Sequence, residues 1–128
     1  MCTEVQSQRS VKGQDEATGK ELHIVKEGWM YKQGGFVKTW RNRWFELQNN
    51  GIISYYHNPN EDYPIARFNC LHFTELKNKA WGKSAQKKFG IKMYTPHRDW
   101  KFLCKDEEER KAWVQKFREV REENMDKN

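Results

Sequence analysis

Three cations near the start of the chain have the types and spacing to bind phosphate together. Arg41 and Arg43 share one face of the β-rich segment 39–48, because side chains two positions apart lie on the same side of a strand. Lys32 lies just before a glycine-containing loop, and an antiparallel hairpin would bring it close to both arginines. Arginine offers a planar fork of donors, lysine a point charge, and loop amides further donors. On charge alone, a solvated basic hairpin without a ligand is an equally good interpretation.

The same strand face changes character along its length. After Arg41 and Arg43 it carries Phe45 and Leu47. A buried charge without a partner is very costly, so the two arginines must lie at a wet or anion-filled rim. Phe45 and Leu47 would then fill the interior. The pattern predicts a strand that enters the core from an open mouth.

The residue pattern supports neither a metal site nor a catalytic site. The four histidines and three cysteines show no metal-ligand spacing, so no metal site is predicted. We find no nucleophile elbow, no P-loop and no dinucleotide-binding glycine motif. We therefore expect a binding module rather than an enzyme, and one that needs no cofactor.

Composition indicates one folded domain with an anionic partner. A chain of 128 residues fits one domain, and its 14% aromatic content argues against disorder. The net charge of +6 favours nucleic acid, an acidic protein or a membrane surface as partner. No apolar run approaches the roughly 18 residues that a membrane span needs. Sparse cysteines indicate a reducing compartment, so a membrane would be met peripherally from the cytoplasm.

Turn signals and hydrophobic periodicity divide the chain into three parts. Residues 1–21 are polar and are interpreted as a flexible leader, the domain covers 22–123, and 124–128 form a tail. Seven strands are predicted within the domain: 24–33, 39–48, 52–57, 64–69, 71–76, 88–95 and 99–104. A basic loop, 77–88, separates the fifth strand from the sixth.

A single helix is predicted to follow the strands. Asp106 and Glu109 have the spacing of a capping box, which marks a helix start. Trp113, Phe117 and Val120 recur on one apolar stripe, and the helix runs to the end of the domain. Strands first and one helix last predict a mainly β fold closed by a helix.

The opening hairpin resembles that of pleckstrin homology domains. Residues 26–35 have the sequence KEGWMYKQGG, and residues 37–45 have VKTWRNRWF. The likeness continues through GIISYY at 51–56 to a final helix with one inward tryptophan, Trp113. It is most similar to the phosphoinositide-binding type found in cytohesins, in the adaptor for phosphotyrosine and 3-phosphoinositides, and in Akt kinases.

The resemblance implies a fold and a ligand. The fold would be a seven-stranded, strongly bent antiparallel barrel or sandwich, capped at one end by the helix and open at the other. Lys32 and Arg43 would grip the 3-phosphate of PtdIns(3,4,5)P3 or PtdIns(3,4)P2, and Arg41 would approach the phosphate that leads to the lipid tail. Tyr56 would offer its hydroxyl to the 4-phosphate. The module would move from the cytoplasm to the plasma membrane or another phosphoinositide-containing membrane.

Further candidate contacts surround these four residues. Lys38 would face the head group or the anionic bilayer, and Asn69 is a further candidate lipid contact. His57 stands where Akt kinases carry a lysine, and Phe36 where cytohesins carry an arginine. An aromatic side chain at a loop tip suits insertion among lipid head groups. These two departures leave the preference between the 4- and 5-phosphate open.

Residues 77–98 are rich in cations and contain no acidic residue. By similarity to a cytohesin insertion, three lysines there would add head-group contacts: Lys83, Lys87 and Lys88. The simpler interpretation is diffuse attraction, worth about 1 kcal/mol for each cation near an anionic leaflet. Trp81 would serve either as an interfacial anchor or as a packing side chain.

Two other functions remain open. A scaffold of the same fold could bind a protein and have only weak, non-specific lipid affinity, although the three cations argue against it. Interleaved basic and aromatic residues also suit nucleic acid. However, an inward arginine pair beside core residues suits a compact phosphate cluster better than a long strand.

Overall fold

The computed structural model describes residue 19 and residues 21–125. These residues form the strands β1 (Ile24–Gln33), β2 (Trp40–Gln48), β3 (Ile52–Tyr56), β4 (Ala66–Asn69), β5 (Glu75–Lys79), β6 (Gly90–Tyr94) and β7 (Asp99–Leu103), followed by the helix α1 (Glu107–Met125). One 3-10 turn, Ala85–Lys87, lies between β5 and β6. The leader predicted for 1–21 falls almost entirely outside the described residues, and so does most of the tail.

All seven strands belong to one antiparallel sheet, in the order β4-β3-β2-β1-β7-β6-β5. Phe68 of β4 stacks on Trp100 of β7, with their ring centroids 3.9 Å apart. Three strands separate β4 from β7 in the sheet, so the two rings meet only because the sheet bends strongly around its core. The predicted fold of seven antiparallel strands with a C-terminal helix is confirmed.

The core lies between the inner faces of the strands and the helix. Strand side chains alternate between the two faces, so every second residue of a strand points toward the core. The inner face holds the largest fully buried side chains of the strands: Met30, Phe45, Leu47, Ile53, Ile91, Met93 and Phe102. As predicted for the second strand, Phe45 and Leu47 lie in the interior.

The helix closes one end of the bent sheet. The carboxylate of Asp106 accepts a hydrogen bond from the Glu109 N–H at 2.8 Å, which satisfies one free donor of the first turn. The Glu109 side chain instead pairs with Lys26 Nζ of β1 at 3.0 Å. Trp113 and Phe117 are fully buried, as the apolar stripe predicted.

Among the described residues, only Gly19 and Gly51 have a positive φ angle, and Gly51 lies in the turn between β2 and β3. Gly51 has φ +90, a conformation that favours glycine, and its N–H donates to the Gln48 carbonyl at 3.0 Å. The neighbouring Asn49 is almost fully buried. Its amide donates to the Glu21 carbonyl at 2.9 Å and accepts from the His23 N–H at 3.0 Å. Asn49 therefore ties the start of the domain to this turn.

The fifth strand begins and ends later than the predicted 71–76, so the assignments of 71–74 to a strand and of 77–79 to the basic loop are wrong. The side-chain oxygen of Asn69 accepts a hydrogen bond from the Leu71 N–H at 2.8 Å, which ends β4 in a local turn. The apolar side chains after it pack inward from this turn. Pairing with β6 then extends β5 to Lys79, through a charged stretch that has little strand character by itself.

Two cysteines are buried free thiols, Cys70 and Cys104. Burial raises the pKa of each to about 12, so neither is a reactive thiolate near neutral pH.

Among the described residues, no helix is long and apolar enough to cross a membrane. The same residues include no group of three or more His, Cys, Asp or Glu side chains that could hold a metal ion.

Candidate functional site

The hairpin of β1 and β2 brings the three cations of the opening segment together. In the antiparallel register, Lys32 lies opposite Arg41, and Met30 lies opposite Arg43. Met30 is buried in the core, so all four side chains lie on the inner face of the sheet. The expected juxtaposition of Lys32 with both arginines is therefore observed.

The loop between β1 and β2 folds tightly back on itself. A Cβ atom at Gly34 would collide with the carbonyl oxygen of Val37, so this position requires glycine. Lys38 Nζ donates to the Gly35 carbonyl at 2.9 Å and braces the loop. Phe36 is left 98% exposed at the tip, although burial of such a ring from water is strongly favourable.

Lys32 is a buried charge. Its side chain is only 9% exposed, and its Nζ lies 5.0 Å from the centroid of the Tyr55 ring. Burial lowers the pKa of Lys32 below its ordinary value of 10.5. Nearby positive charges lower it further, in this order: Arg98, Arg43 and Arg41. The protein thus keeps a lysine where its charged form is disfavoured.

Arg98 joins these cations from the turn between β6 and β7. Its guanidinium carbon lies 3.7 Å from the centroid of the Trp100 ring, and Nη2 donates to the Gln33 carbonyl at 3.5 Å. Its buried Nε has no hydrogen-bond partner among the described residues. From the sequence, Arg98 was assigned only to the diffuse basic segment 77–98. Its parity with Trp100 and Phe102, which point inward, was the signal that could have placed it here.

Among the residues that the structure describes, the four cations have no acidic partner. No carboxylate of the described residues forms a salt bridge with any member of this inner cluster, which consists of Lys32, Arg41, Arg43 and Arg98. Arg43 Nη1 donates only to the backbone carbonyl of Asn42, at 3.0 Å. Like charges this close disfavour one another's charged forms. A multiply charged anion at the mouth would relieve that repulsion.

Tyr55 faces the inner cluster, and Tyr56 does not. Tyr55 lies opposite Phe45 on the inner face, whereas Tyr56 lies opposite Trp44 on the outer face. Burial raises the pKa of Tyr55, although the charge of Arg98 opposes this, so its hydroxyl stays protonated at neutral pH. Tyr55 and Tyr56 are neighbours in the sequence and therefore lie on opposite faces of the sheet, because strand side chains alternate.

Two other candidates, His57 and Asn69, lie at opposite ends of β3. His57 follows β3 directly, and its Nδ1 is hydrogen-bonded to the carboxylate of Glu61 at 3.1 Å, which lowers the pKa of Glu61. Asn69 pairs with Ile52 at the opposite end of β3 from Tyr55. The structure therefore does not bring Asn69 to the mouth.

The basic loop between β5 and β6 lies against the outer side of the sheet. Trp81 anchors it by donating its indole N–H to the Phe102 carbonyl at 3.0 Å, and its ring centroid lies 6.0 Å from that of Trp40. Trp81 is partly buried and packs there. The three lysines that were expected to add head-group contacts are exposed on this loop: Lys83, Lys87 and Lys88. No described contact joins these lysines to the inner cluster.

Comparison with known proteins identifies similar chains. A family model described as the PH domain matches residues 24–122. A RAC family serine/threonine-protein kinase homolog of Dictyostelium discoideum is 36% identical over 93 residues, covering 72% of this chain and 20% of the relative. A mouse (Mus musculus) dual adapter, named for phosphotyrosine, 3-phosphotyrosine and 3-phosphoinositide, is 32% identical over 94 residues, covering 73% of this chain and 32% of the adapter. The chain thus spans about a third or less of these relatives.

A solved structure shares the fold. The crystal structure of the C-terminal PH domain of pleckstrin, in complex with D-myo-Ins(1,2,3,4,5)P5, superimposes with a TM-score of 0.63. It is 18% identical in sequence, and the match covers 76% of this chain and 97% of that chain. At this identity the likeness shows a common architecture.

Proposed function

Because this chain belongs to the PH domain family, we propose that it is a phosphoinositide-binding module that recruits its protein from the cytoplasm to the plasma membrane or another phosphoinositide-containing membrane. The observation that carries this proposal is the inner cluster, in which four cations meet at one mouth without an acidic partner among the described residues. Buried charge of this kind is stabilised by a bound anion. An inositol ring with adjacent phosphates supplies several negative charges in a compact volume.

The proposed ligands are PtdIns(3,4,5)P3 and PtdIns(3,4)P2. In this arrangement Lys32 and Arg43 hold the 3-phosphate, and Arg41 holds the phosphate that leads to the lipid tail. Tyr55, which faces the cluster, takes the hydroxyl role that the sequence assigned to its neighbour. Arg98 supplies a further guanidinium. Support comes from the mouse adapter, which is named for 3-phosphoinositide, and from the inositol pentakisphosphate bound to the pleckstrin domain.

A panel of ligands tests this function. Isothermal titration would use soluble inositol phosphates that differ in the positions of their phosphates, and vesicles would carry each phosphoinositide in turn. We expect the tightest binding to 3-phosphorylated head groups and no comparable binding to single-stranded nucleic acid. Weak, equal attraction to every anionic lipid, without tight binding to any head group, would instead support the protein-binding scaffold.

Head-group affinity is expected to fall as the pH rises, through Lys32. In the free protein, burial and then the neighbouring arginines lower the pKa of Lys32 below 10.5. A bound phosphate raises that pKa again, so the complex keeps the proton to a higher pH than the free protein does. Between the two pKa values binding takes up a proton, and affinity falls by up to about tenfold per pH unit. Titrations in buffers with different ionisation heats measure this uptake, and the Lys32→Gln variant should lack it.

Phe36 is expected to strengthen vesicle binding without touching the head group. Its ring is 98% exposed at the loop tip, and transferring it from water into the lipid interface is worth about 1.5–3 kcal/mol. Phe36→Ala should therefore weaken vesicle binding by about tenfold or more, at about 1.4 kcal/mol per decade. Met125→Ala is the matched control, because Met125 is an exposed apolar side chain at the far end of the helix. A parallel loss of soluble head-group affinity would contradict the insertion role.

A further inference from the structure

Tyr63 lies on the loop between β3 and β4, outside every strand. Its side chain is 84% exposed, whereas the other four tyrosines of the chain lie in strands: Tyr31, Tyr55, Tyr56 and Tyr94. Tyr31 is the next most exposed, at 47%, but its strand β1 is paired on both sides, with β2 and β7. Within the described part of the chain, no hydrogen bond or ring contact involves the Tyr63 side chain. Core packing therefore does not account for this ring.

The backbone is held on either side of Tyr63 but not at Tyr63 itself. On the β4 side, the Ile65 N–H donates to the Tyr55 carbonyl at 2.8 Å. On the β3 side, the Glu61 carboxylate accepts a hydrogen bond from the Asn58 N–H at 3.1 Å. The proline that follows Tyr63 disfavours a helical conformation there. Opening residues 62–64 breaks no sheet pairing, so an enzyme cleft can take up this segment at little cost in stability.

Two carboxylates precede Tyr63 directly in the sequence. Glu61 pairs with His57, whereas Asp62 is exposed and forms no salt bridge with any residue that the structure describes. In a chain of net charge +6 that is proposed to bind anionic lipid, negative charge on this loop works against binding. Such local conflicts are expected where another function needs the residues. Protein kinases select their substrates partly by the pattern of charge beside the acceptor.

The same loop lies at the end of the sheet that carries the inner cluster. Tyr56, the last residue of β3, lies opposite Trp44 of β2. Because the two strands are antiparallel, the chain that leaves β3 continues past Trp44 to the level of Arg43. A charge added to this loop therefore meets a bilayer together with the mouth of the inner cluster.

We propose that Tyr63 is a phosphorylation site for a tyrosine kinase, and that its phosphate weakens membrane binding by this domain. In the reaction, the phenolic oxygen of Tyr63 bonds to the γ-phosphorus of ATP while the bond from that phosphorus to ADP breaks. The hydroxyl proton passes to the general base of the kinase. The regulatory half of the proposal rests on the proposed function, whereas the phosphoryl transfer does not.

The added phosphate weakens membrane binding through its charge. Phosphotyrosine carries about −1.5 to −2 charges at neutral pH. Each cation near an anionic leaflet strengthens binding by about one unit of the free-energy scale that polybasic segments follow, and an anion weakens it in the same way. We therefore expect vesicle affinity to fall by about tenfold or more. Because the charge is exposed, added salt should reduce this loss.

The first measurement is the site of phosphoryl transfer. The chain is incubated with ATP, Mg²⁺ and the isolated catalytic domain of a tyrosine kinase, and mass spectrometry locates the phosphate. Tyr63→Phe should lower the initial rate of incorporation by about tenfold or more, because the other acceptors lie in paired strands. Tyr31→Phe is the matched control and should lower that rate by less than about twofold. Incorporation mainly at Tyr31, or an equal loss in both variants, would overturn the proposal.

The second measurement compares vesicle binding by the phosphorylated and unmodified chains. Sedimentation uses phosphatidylcholine vesicles with PtdIns(3,4,5)P3 at low and physiological salt. The expected loss should reverse after treatment with a tyrosine phosphatase, and kinase-treated Tyr63→Phe should bind like the unmodified chain. Unchanged affinity of the fully phosphorylated chain would refute the regulatory role. If the unmodified chain binds no phosphoinositide, the proposed function fails together with that role, and mass spectrometry still decides whether Tyr63 accepts the phosphate.

Discussion

Replacing Trp113 with alanine is expected to lower the free energy of unfolding by about 3–5 kcal/mol, as the loss of a large buried aromatic ring does. The Trp113 side chain is fully buried, and its ring centroid lies 5.6 Å from that of Phe117 and 6.4 Å from that of Phe45. It thus joins the helix to the inner face of the sheet. Domains of this size are stable by only about 5–15 kcal/mol, so the variant loses a large share of its stability.

Chemical denaturation of Trp113→Ala beside Trp29→Ala measures this effect. Trp29 is 39% exposed, and its ring meets that of Trp44 edge-on at 5.5 Å. Removing it deletes the same side chain from a site that solvent already reaches, so we expect a loss of about 1–2 kcal/mol. Equal losses in the two variants would mean that the helix is not held by Trp113.

Replacing Arg43 with alanine is expected to abolish measurable binding to 3-phosphorylated head groups. Charge-assisted hydrogen bonds to phosphate contribute about 1.5–3 kcal/mol each, and a guanidinium can make two in parallel. Losing both reduces affinity by about a hundredfold or more, at about 1.4 kcal/mol per decade. Arg43→Lys should be intermediate, because lysine keeps the charge without the planar fork.

The fold should survive this substitution. Arg43 is partly exposed, and its described hydrogen bond is to the backbone carbonyl of Asn42. Its removal also relieves repulsion on Lys32. Arg118→Ala, on an exposed helix position, is the matched control for charge. Unchanged affinity in an Arg43→Ala protein that melts normally would place the ligand elsewhere, and a collapsed melt would make Arg43 a structural residue.

Local patterns in the sequence were enough to predict most of the strands, the turn at Gly51 and the start of the helix. Alternation in the segment 39–48 separated inner from outer side chains correctly, because the two-residue period belongs to any strand. The Asn50-Gly51 pair is by itself a strong signal for a turn, and Asp106 marked the helix start, because each depends on a few neighbouring atoms. The fifth strand was predicted, but its bounds were placed too early, because β5 extends to Lys79 by pairing with β6 and residues 77–79 carry little strand signal of their own.

Local sequence patterns could not predict the side chains whose partners lie far away in the chain. Asn49 was identifiable as a turn residue, but its buried side chain binds the backbone of Glu21 and His23. Its carbonyl also accepts a hydrogen bond from the Asn124 amide at 2.9 Å, which ties the turn to the end of the helix. These partners meet only when the whole chain has folded.

The sequence by itself determined that Lys32, Arg41 and Arg43 share one face of a hairpin, because antiparallel pairing across a short loop leaves little choice of register. Only the tertiary structure decided that Arg98 completes the cluster and that Tyr55 lies beside Lys32. The β6–β7 turn reaches the first hairpin because β7 pairs directly with β1, and this pairing joins strands that are far apart in the chain. In the folded domain Lys32 is buried, which turns a common basic hairpin into a site that favours an anion.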